Sequence, residues 1–183
     1  MKHFLQVHQG LDVAPMLSEL EAQPELWGAH PERGTVPGSP HAAMQDIWCR
    51  ARAYDDIAVP GAFREPHWPV FYPAWRALPA IQPVVWSLMG MAKGVQLGNV
   101  LLTRIPAGGC ILPHVDSGWA PEWFTSKFYV VLASDGCVNR CMDEEVTMRA
   151  GEIWSFENRL THSVQNHGAT DRISLIVTLR SEA

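Results

Sequence analysis

A chain of 183 residues, 47% hydrophobic and 18% charged, suits one soluble domain with a substantial core. Its net charge of −5 excludes the basic footprint of a general nucleic-acid binder. The start, Met1 to His8, is too polar and short for a secretory core, and no apolar run reaches spanning length, so a cytoplasmic protein without a membrane partner is expected.

A first helix is predicted from Asp12, which can cap it, with Val13, Met16, Leu17 and Leu20 at helical spacing and a stop before Pro24. The run Pro31 to Pro40 is too rich in Pro and Gly for a long helix or a central strand. Alternation across Met44 to Arg52, with Ile47 and Cys49 set against Trp48 and Arg50, predicts a strand. A second helix is predicted over Ala80 to Lys93, with Pro83 in its first turn and Gly94 as its stop.

From Val95 onward the pattern becomes all-β. Eight short strands are predicted at 95–105, 110–116, 127–134, 137–142, 145–149, 152–156, 162–166 and 172–180, separated by Gly, Pro, Asp or Asn. So many strands with little helix between them imply a mainly β sandwich or jelly-roll barrel. The expected organisation is one domain over 1–183, in which a mixed helix and strand leader (1–94) packs on an eight-strand core (95–180). The eight tryptophans, from Trp27 to Trp154, read as core and pocket wall. Cys49, Cys110, Cys137 and Cys141 form no CxxC pair and read as reduced thiols, with a disulfide or metal pair at Cys137 and Cys141 as the alternative.

The chemistry-bearing pattern is Pro113-His114-Val115-Asp116, then His162-Ser163-Val164, then Arg172 ten positions further on. Two imidazoles and one carboxylate form a facial ligand set for Fe(II), leaving positions open for a co-substrate and O₂. His114 and Asp116, two apart on one strand, point the same way. An HxD alone is a weak motif; the later His with its Arg, in a β-rich chain, sharpens it. Alternation puts Arg172, Ser174, Ile176 and Thr178 on one face of the last strand. An inward Arg172 demands an anion, and its planar fork suits the far carboxylate of 2-oxoglutarate. Lys127 and Tyr129 share a face and can add a cation and a hydroxyl to the same pocket, as can Thr103.

These residues resemble the aspartyl/asparaginyl β-hydroxylase family of Fe(II)/2-oxoglutarate oxygenases, in the manner of its stand-alone bacterial and phage members. The likeness runs from about Val100 to Arg180. It is carried by Ile105-Pro106-Ala107-Gly108-Gly109, the His114 motif, Gly136 to Cys141, Gly151 to Asn158, His162 to Asn166 and Asp171-Arg172-Ile173. Gly38 to His41 and Asp46 to Arg50 resemble the leader of the stand-alone members. The resemblance implies a double-stranded β-helix of the cupin-like jelly-roll type, iron on His114, Asp116 and His162, and the distal carboxylate of 2-oxoglutarate on Arg172. Thr103 stands where the family places a hydroxyl near that co-substrate. Two departures stand out: the animal hydroxylase has glycine in place of Asp116, and arginine and histidine in place of Lys127 and Tyr129.

The implied activity is hydroxylation of an Asp- or Asn-type residue in a peptide or protein, with release of succinate and CO₂. Asp116 argues against a halogenase, because halide needs the position this carboxylate fills. A hydroxylase of a free, proline-like amino acid is the second reading, and a metal-binding cupin without turnover is the third. For substrate contact the candidates are Trp119 and Trp123 beside the metal motif, with Arg33, His41, Arg50 and Arg64 as carboxylate clamps.

Overall fold

The computed structural model describes residues 3–53 and 64–182. The expected unit over 1–183 also takes in residues 1–2, 54–63 and 183, which lie outside the described residues. In chain order the N-terminal part contains β1 (Phe4–His8), α1 (Ala14–Ala22), a 3₁₀ turn (Pro24–Leu26), α2 (Glu32–Thr35), β2 (Gln45–Ala51), β3 (Val70–Phe71), α3 (Ala74–Ala77) and α4 (Ile81–Met91). There follow β4 (Gly94–Ile105), β5 (Cys110–His114), α5 (Trp119–Trp123), β6 (Ser126–Ala133), β7 (Cys137–Cys141) and β8 (Glu144–Thr147). The chain closes with β9 (Ile153–Phe156), β10 (His162–Asn166) and β11 (Arg172–Ser181).

The strands form two antiparallel sheets, a larger one ordered β1-β9-β6-β11-β4-β2-β3 and a smaller one ordered β5-β10-β7-β8. Alternation along β11 explains how the layers stack. Leu175, Val177 and Leu179 join Met16, Leu20, Ile81, Val85 and Leu88 in a core between the large sheet and helices α1 and α4. Ile176, one residue out of phase, joins Tyr129, Val131, Leu101 and Cys141 in a second core between the two sheets. Strands buried on both faces read as continuous apolar runs, as Val130-Val131-Leu132 does on β6. The mainly β, jelly-roll expectation matches this architecture, with helices on one outer face.

Several local expectations need correction. The N-cap position of α1 is Val13, and Asp12 acts from one residue earlier, its Oδ1 accepting the Ala14 N–H at 3.0 Å. Helix α4 ends at Met91, and the left-handed residue that ends it is Lys93 (φ 48°); Gly94 instead opens β4. Glycine suits that place because a Cβ would lie 2.9 Å from Met89 Sδ. Strand β5 stops at His114, so Asp116 lies beyond the strand. Only Trp48 among the tryptophans is fully buried, while Trp68 and Trp86 are half exposed. The cysteines are free, and Cys137 and Cys141 are buried in separate cores.

The loop after β10 folds tightly onto the loop before β7. A Cβ on Gly168 would sit 1.5 Å from the Asp135 carbonyl oxygen, so a side chain there must push the two loops apart. Gly168→Ala is therefore expected to cost about 3 kcal/mol or more by overpacking. Urea denaturation would show this as a lower midpoint, and an unchanged midpoint would refute the contact.

Candidate metal centre and its cavity

His114 and His162 are direct cross-strand partners on β5 and β10, which brings their ring centroids within 4.2 Å. Each imidazole is oriented by a backbone carbonyl two residues upstream. His114 Nδ1 lies 2.8 Å from Leu112 O, and His162 Nδ1 lies 2.9 Å from Leu160 O. A carbonyl only accepts, so both Nδ1 atoms carry the proton and both Nε2 atoms keep a lone pair. Those Nε2 atoms face Asp116 Oδ1, at 3.4 Å from His114 and 3.9 Å from His162. Two lone pairs and a carboxylate oxygen converging on one point repel one another unless a cation lies between them. The ligand atoms of the three residues all lie within 4.8 Å of one another, a spacing that fits one metal ion.

Asp116 reaches this point from outside β5 because Asn158 anchors it twice. The Asp116 N–H donates to Asn158 O at 3.1 Å, and Asn158 Nδ2 donates to Asp116 Oδ2 at 2.9 Å. Lys127, buried at the start of β6, donates to the same Oδ2 at 2.6 Å. Burial pushes the Asp116 carboxyl up, but the Lys127 ammonium beside it more than offsets this, and the group is held well below the usual carboxylate range. Burial also pulls the Lys127 ammonium down, and Asp116 more than restores it.

Burial, with Lys127 next, lowers the His162 imidazole to about 4, so it stays neutral and available as a ligand. The unfolded chain then takes up this proton first, so stability is full above about 6.5 and drains as pH falls towards about 4. For the metal-free protein this one group should cost about 3 kcal/mol between pH 7 and pH 4. His41, lowered to about 2 chiefly by burial and then by Arg33, adds a loss of the same sign. The check is therefore a difference: His162→Gln should flatten the pH dependence of the denaturation midpoint, and parallel curves would contradict it.

Arg172 is 1% exposed and sits at the start of β11, facing the space between the sheets. Its Nη2 donates to Asn139 Oδ1 at 3.3 Å, and its carbon Cζ lies 5.0 Å from the Tyr129 ring centre. Among the described residues its Nε and Nη1 have no hydrogen-bond partner, and neither do the neighbouring Asn139 Nδ2 and Ser174 Oγ. Thr103, fully buried opposite Ser174 on β4, lies 3.5 Å from Ser174 O through its hydroxyl. Unpartnered donors around a buried guanidinium fit a carboxylate. Sequence patterning pointed to Arg172, Thr103 and Tyr129 but assigned nothing to Asn139, Asn158 or Ser174; alternation alone puts Ser174 on the Arg172 face.

Asp116, Lys127 and Asn158 open onto a cavity of about 600 Å³. The leader supplies much of the opposite wall, including Arg33, His41 and Arg52. Arg33 is fixed by Asp46 at 3.0 Å, and His41 packs edge-on against His114 with ring centres 4.7 Å apart. The other expected substrate contacts lie elsewhere. Arg50 reaches Leu97 O and the Phe71 ring, Trp123 bonds Gln96 and lies under Arg180, and exposed Arg64 lines no part of this cavity. Trp119 stands beside the mouth, stacked on Trp123 and tilted against His67, while its neighbours Ala120 and Pro121 form the wall.

Residues 71–182 match the family model described as aspartyl/asparaginyl beta-hydroxylase, a span containing the whole His114, Asp116, His162 and Arg172 constellation. The chain belongs to the aspartyl/asparaginyl β-hydroxylase family. It is thus an Fe(II)/2-oxoglutarate oxygenase-type hydroxylase.

No curated protein matches the chain. Among solved structures, this β-hydroxylase family member is similar to a prolyl hydroxylase from Trichoplax adhaerens, crystallised with a peptide fragment of the hypoxia inducible factor oxygen degradation domain. The TM-score is 0.61 at 11% identity, over 97% of this chain and 83% of that one. It is also similar to a Pseudomonas putida prolyl-4-hydroxylase, with a TM-score of 0.55 at 13% identity over 99% and 94% of the two chains. A 2OG-Fe(II) oxygenase family oxidoreductase from Burkholderia pseudomallei gives 0.52 at 12% identity, over 74% and 65%. At such identities these likenesses establish the shared fold. Among the described residues no helix is long and apolar enough to cross a membrane.

Proposed function

We propose that the chain hydroxylates an Asp- or Asn-type residue in a peptide or protein, using Fe(II), 2-oxoglutarate and O₂. The observation that carries this reading is the convergence of two Nε2 lone pairs and Asp116 Oδ1, with an Arg172 guanidinium buried between the same sheets whose Nε and Nη1 have no partner among the described residues. Fe(II) with 2-oxoglutarate and O₂ supplies an oxidant for an unactivated C–H bond, the co-substrate leaving as succinate and CO₂.

The chain's own groups position these components. His114, Asp116 and His162 hold the metal on one face. Arg172 takes the far carboxylate of 2-oxoglutarate, with Ser174, Asn139 and Thr103 as neutral partners and the Tyr129 ring as a wall. The peptide enters through the cavity bounded by α5 on one side and by Arg33 and His41 on the other. Those two residues then face the substrate's own polar groups.

A second reading, a free amino acid as substrate, draws on the mixed charge of that wall, where Glu32 stands with Arg33 and Arg52 around a small cavity. Purified protein with Fe(II), ascorbate and 2-oxoglutarate would be offered Asp- and Asn-containing peptides and free amino acids. Succinate release coupled to a gain of one oxygen in a peptide supports the first reading. Coupling to free amino acids alone supports the second, and coupling to neither class overturns both.

A further inference from the structure

Asp116 has unequal oxygens. Its Oδ1 faces His114 and His162, whereas its Oδ2 accepts from Lys127 Nζ at 2.6 Å and Asn158 Nδ2 at 2.9 Å. A carboxylate oxygen carries two in-plane lone pairs, and two donors at these distances use both. Lys127 is 8% exposed, lies beside the Phe156 and Tyr129 rings, and has Asp116 as its one carboxylate partner among the described residues. Its stem leaves β6, an interior strand of the large sheet, so the ammonium has little freedom to leave. Asn158 is 3% exposed and is tied to Asp116 through the backbone as well.

We propose that Lys127 is a positioning residue that restricts Asp116 to one-oxygen ligation and so keeps a coordination position open for the reaction. The inference rests on the triad reading given above. A carboxylate that turned both oxygens to a metal would occupy a fourth position and compete with a chelating 2-oxo acid or with O₂. Lys127 blocks that turn by holding Oδ2 with a charge-assisted hydrogen bond, the stronger of its two contacts. The same positive charge opposes a metal cation nearby, so it lowers metal affinity while protecting the open face. This assigns Lys127 to the ligand, in place of the direct co-substrate contact expected from its strand face.

The test compares Lys127→Met with the wild type, first by Mn(II) titration of the metal-free protein followed by electron paramagnetic resonance. Freed from Lys127, Oδ2 can join the metal, so Lys127→Met should bind Mn(II) about tenfold more tightly while kcat for succinate release falls about tenfold or more. In an Asp116→Ala background the same substitution should tighten Mn(II) far less, by the lost charge alone, because the oxygen it releases is gone. Lys127→Arg, which keeps a charged donor on Oδ2, should restore near wild-type affinity.

Unchanged Mn(II) affinity with a raised KM for 2-oxoglutarate would make Lys127 a co-substrate contact and overturn the proposal. An equal tightening with and without Asp116 would reduce it to a distant charge effect and also overturn it. Mn(II) binding that ignores His114→Ala and His162→Ala would instead sink the triad reading, which separates the two failures.

Discussion

Alanine at His162 or His114 is expected to lower succinate release by more than about 100-fold, beyond what loss of a merely supporting contact costs. Both imidazoles offer Nε2 because a backbone carbonyl fixes the proton on Nδ1. Asp116→Ala should fall in the same range, since it removes the one carboxylate that faces both rings. The His162 variant has a second expected effect. His162 is 4% exposed and packs edge-on against Phe156, so its loss leaves a small hole between the sheets. His162→Gln, which fills most of that hole, separates the two effects by restoring the unfolding midpoint without restoring turnover. Succinate release that survives any of the three alanine substitutions would mean the metal sits elsewhere.

Arg172→Met is expected to move activity and stability in opposite directions. Losing a buried partner of a charged group costs about 3–5 kcal/mol, which is at least a 100-fold rise in KM for 2-oxoglutarate. Yet the free protein should become more stable, because Nε and Nη1 are buried without partners and methionine removes that burden while filling much of the space. Such an exchange of stability for binding is common where a site is built for a charged ligand. Saturating 2-oxoglutarate should raise the thermal midpoint of the wild type and leave that of Arg172→Met in place. A variant that binds the co-substrate as well as the wild type would remove Arg172 from the site.

The core of this arrangement was readable in the chain because strand alternation is a strict period. One-residue phasing on β11 correctly separated Arg172, Ser174 and Ile176 from Leu175, Val177 and Leu179. Helices α1 and α4 and the eight C-terminal strands were legible through their periodic apolar residues and Gly or Asn breaks, whereas the short helices α2, α3 and α5 were not. Strand β1 was missed because only Phe4 of its five residues is buried, so it carries no alternation of its own and exists by pairing with β9. Asn158 and Asn139 left no trace because each acts through a fold contact between residues far apart in sequence, which no local spacing encodes. The surroundings of Arg50 were not legible either, because which way a side chain turns is a tertiary decision: it reaches Leu97 O and the Phe71 ring.

The order of the large sheet has a consequence for dissecting the molecule. The stretch that carries the family likeness, 71–182, holds every proposed ligand, yet it omits β1 and β2. Strand β2 lies between β4 and β3, and β1 covers the free side of β9. A fragment begun at residue 71 would bare two sheet edges, surrender Arg33 and His41 from the cavity wall, and offer open backbone to other chains. The minimal unit for engineering is therefore set by strand neighbours: the leader cannot be exchanged as a cassette without supplying replacements for both.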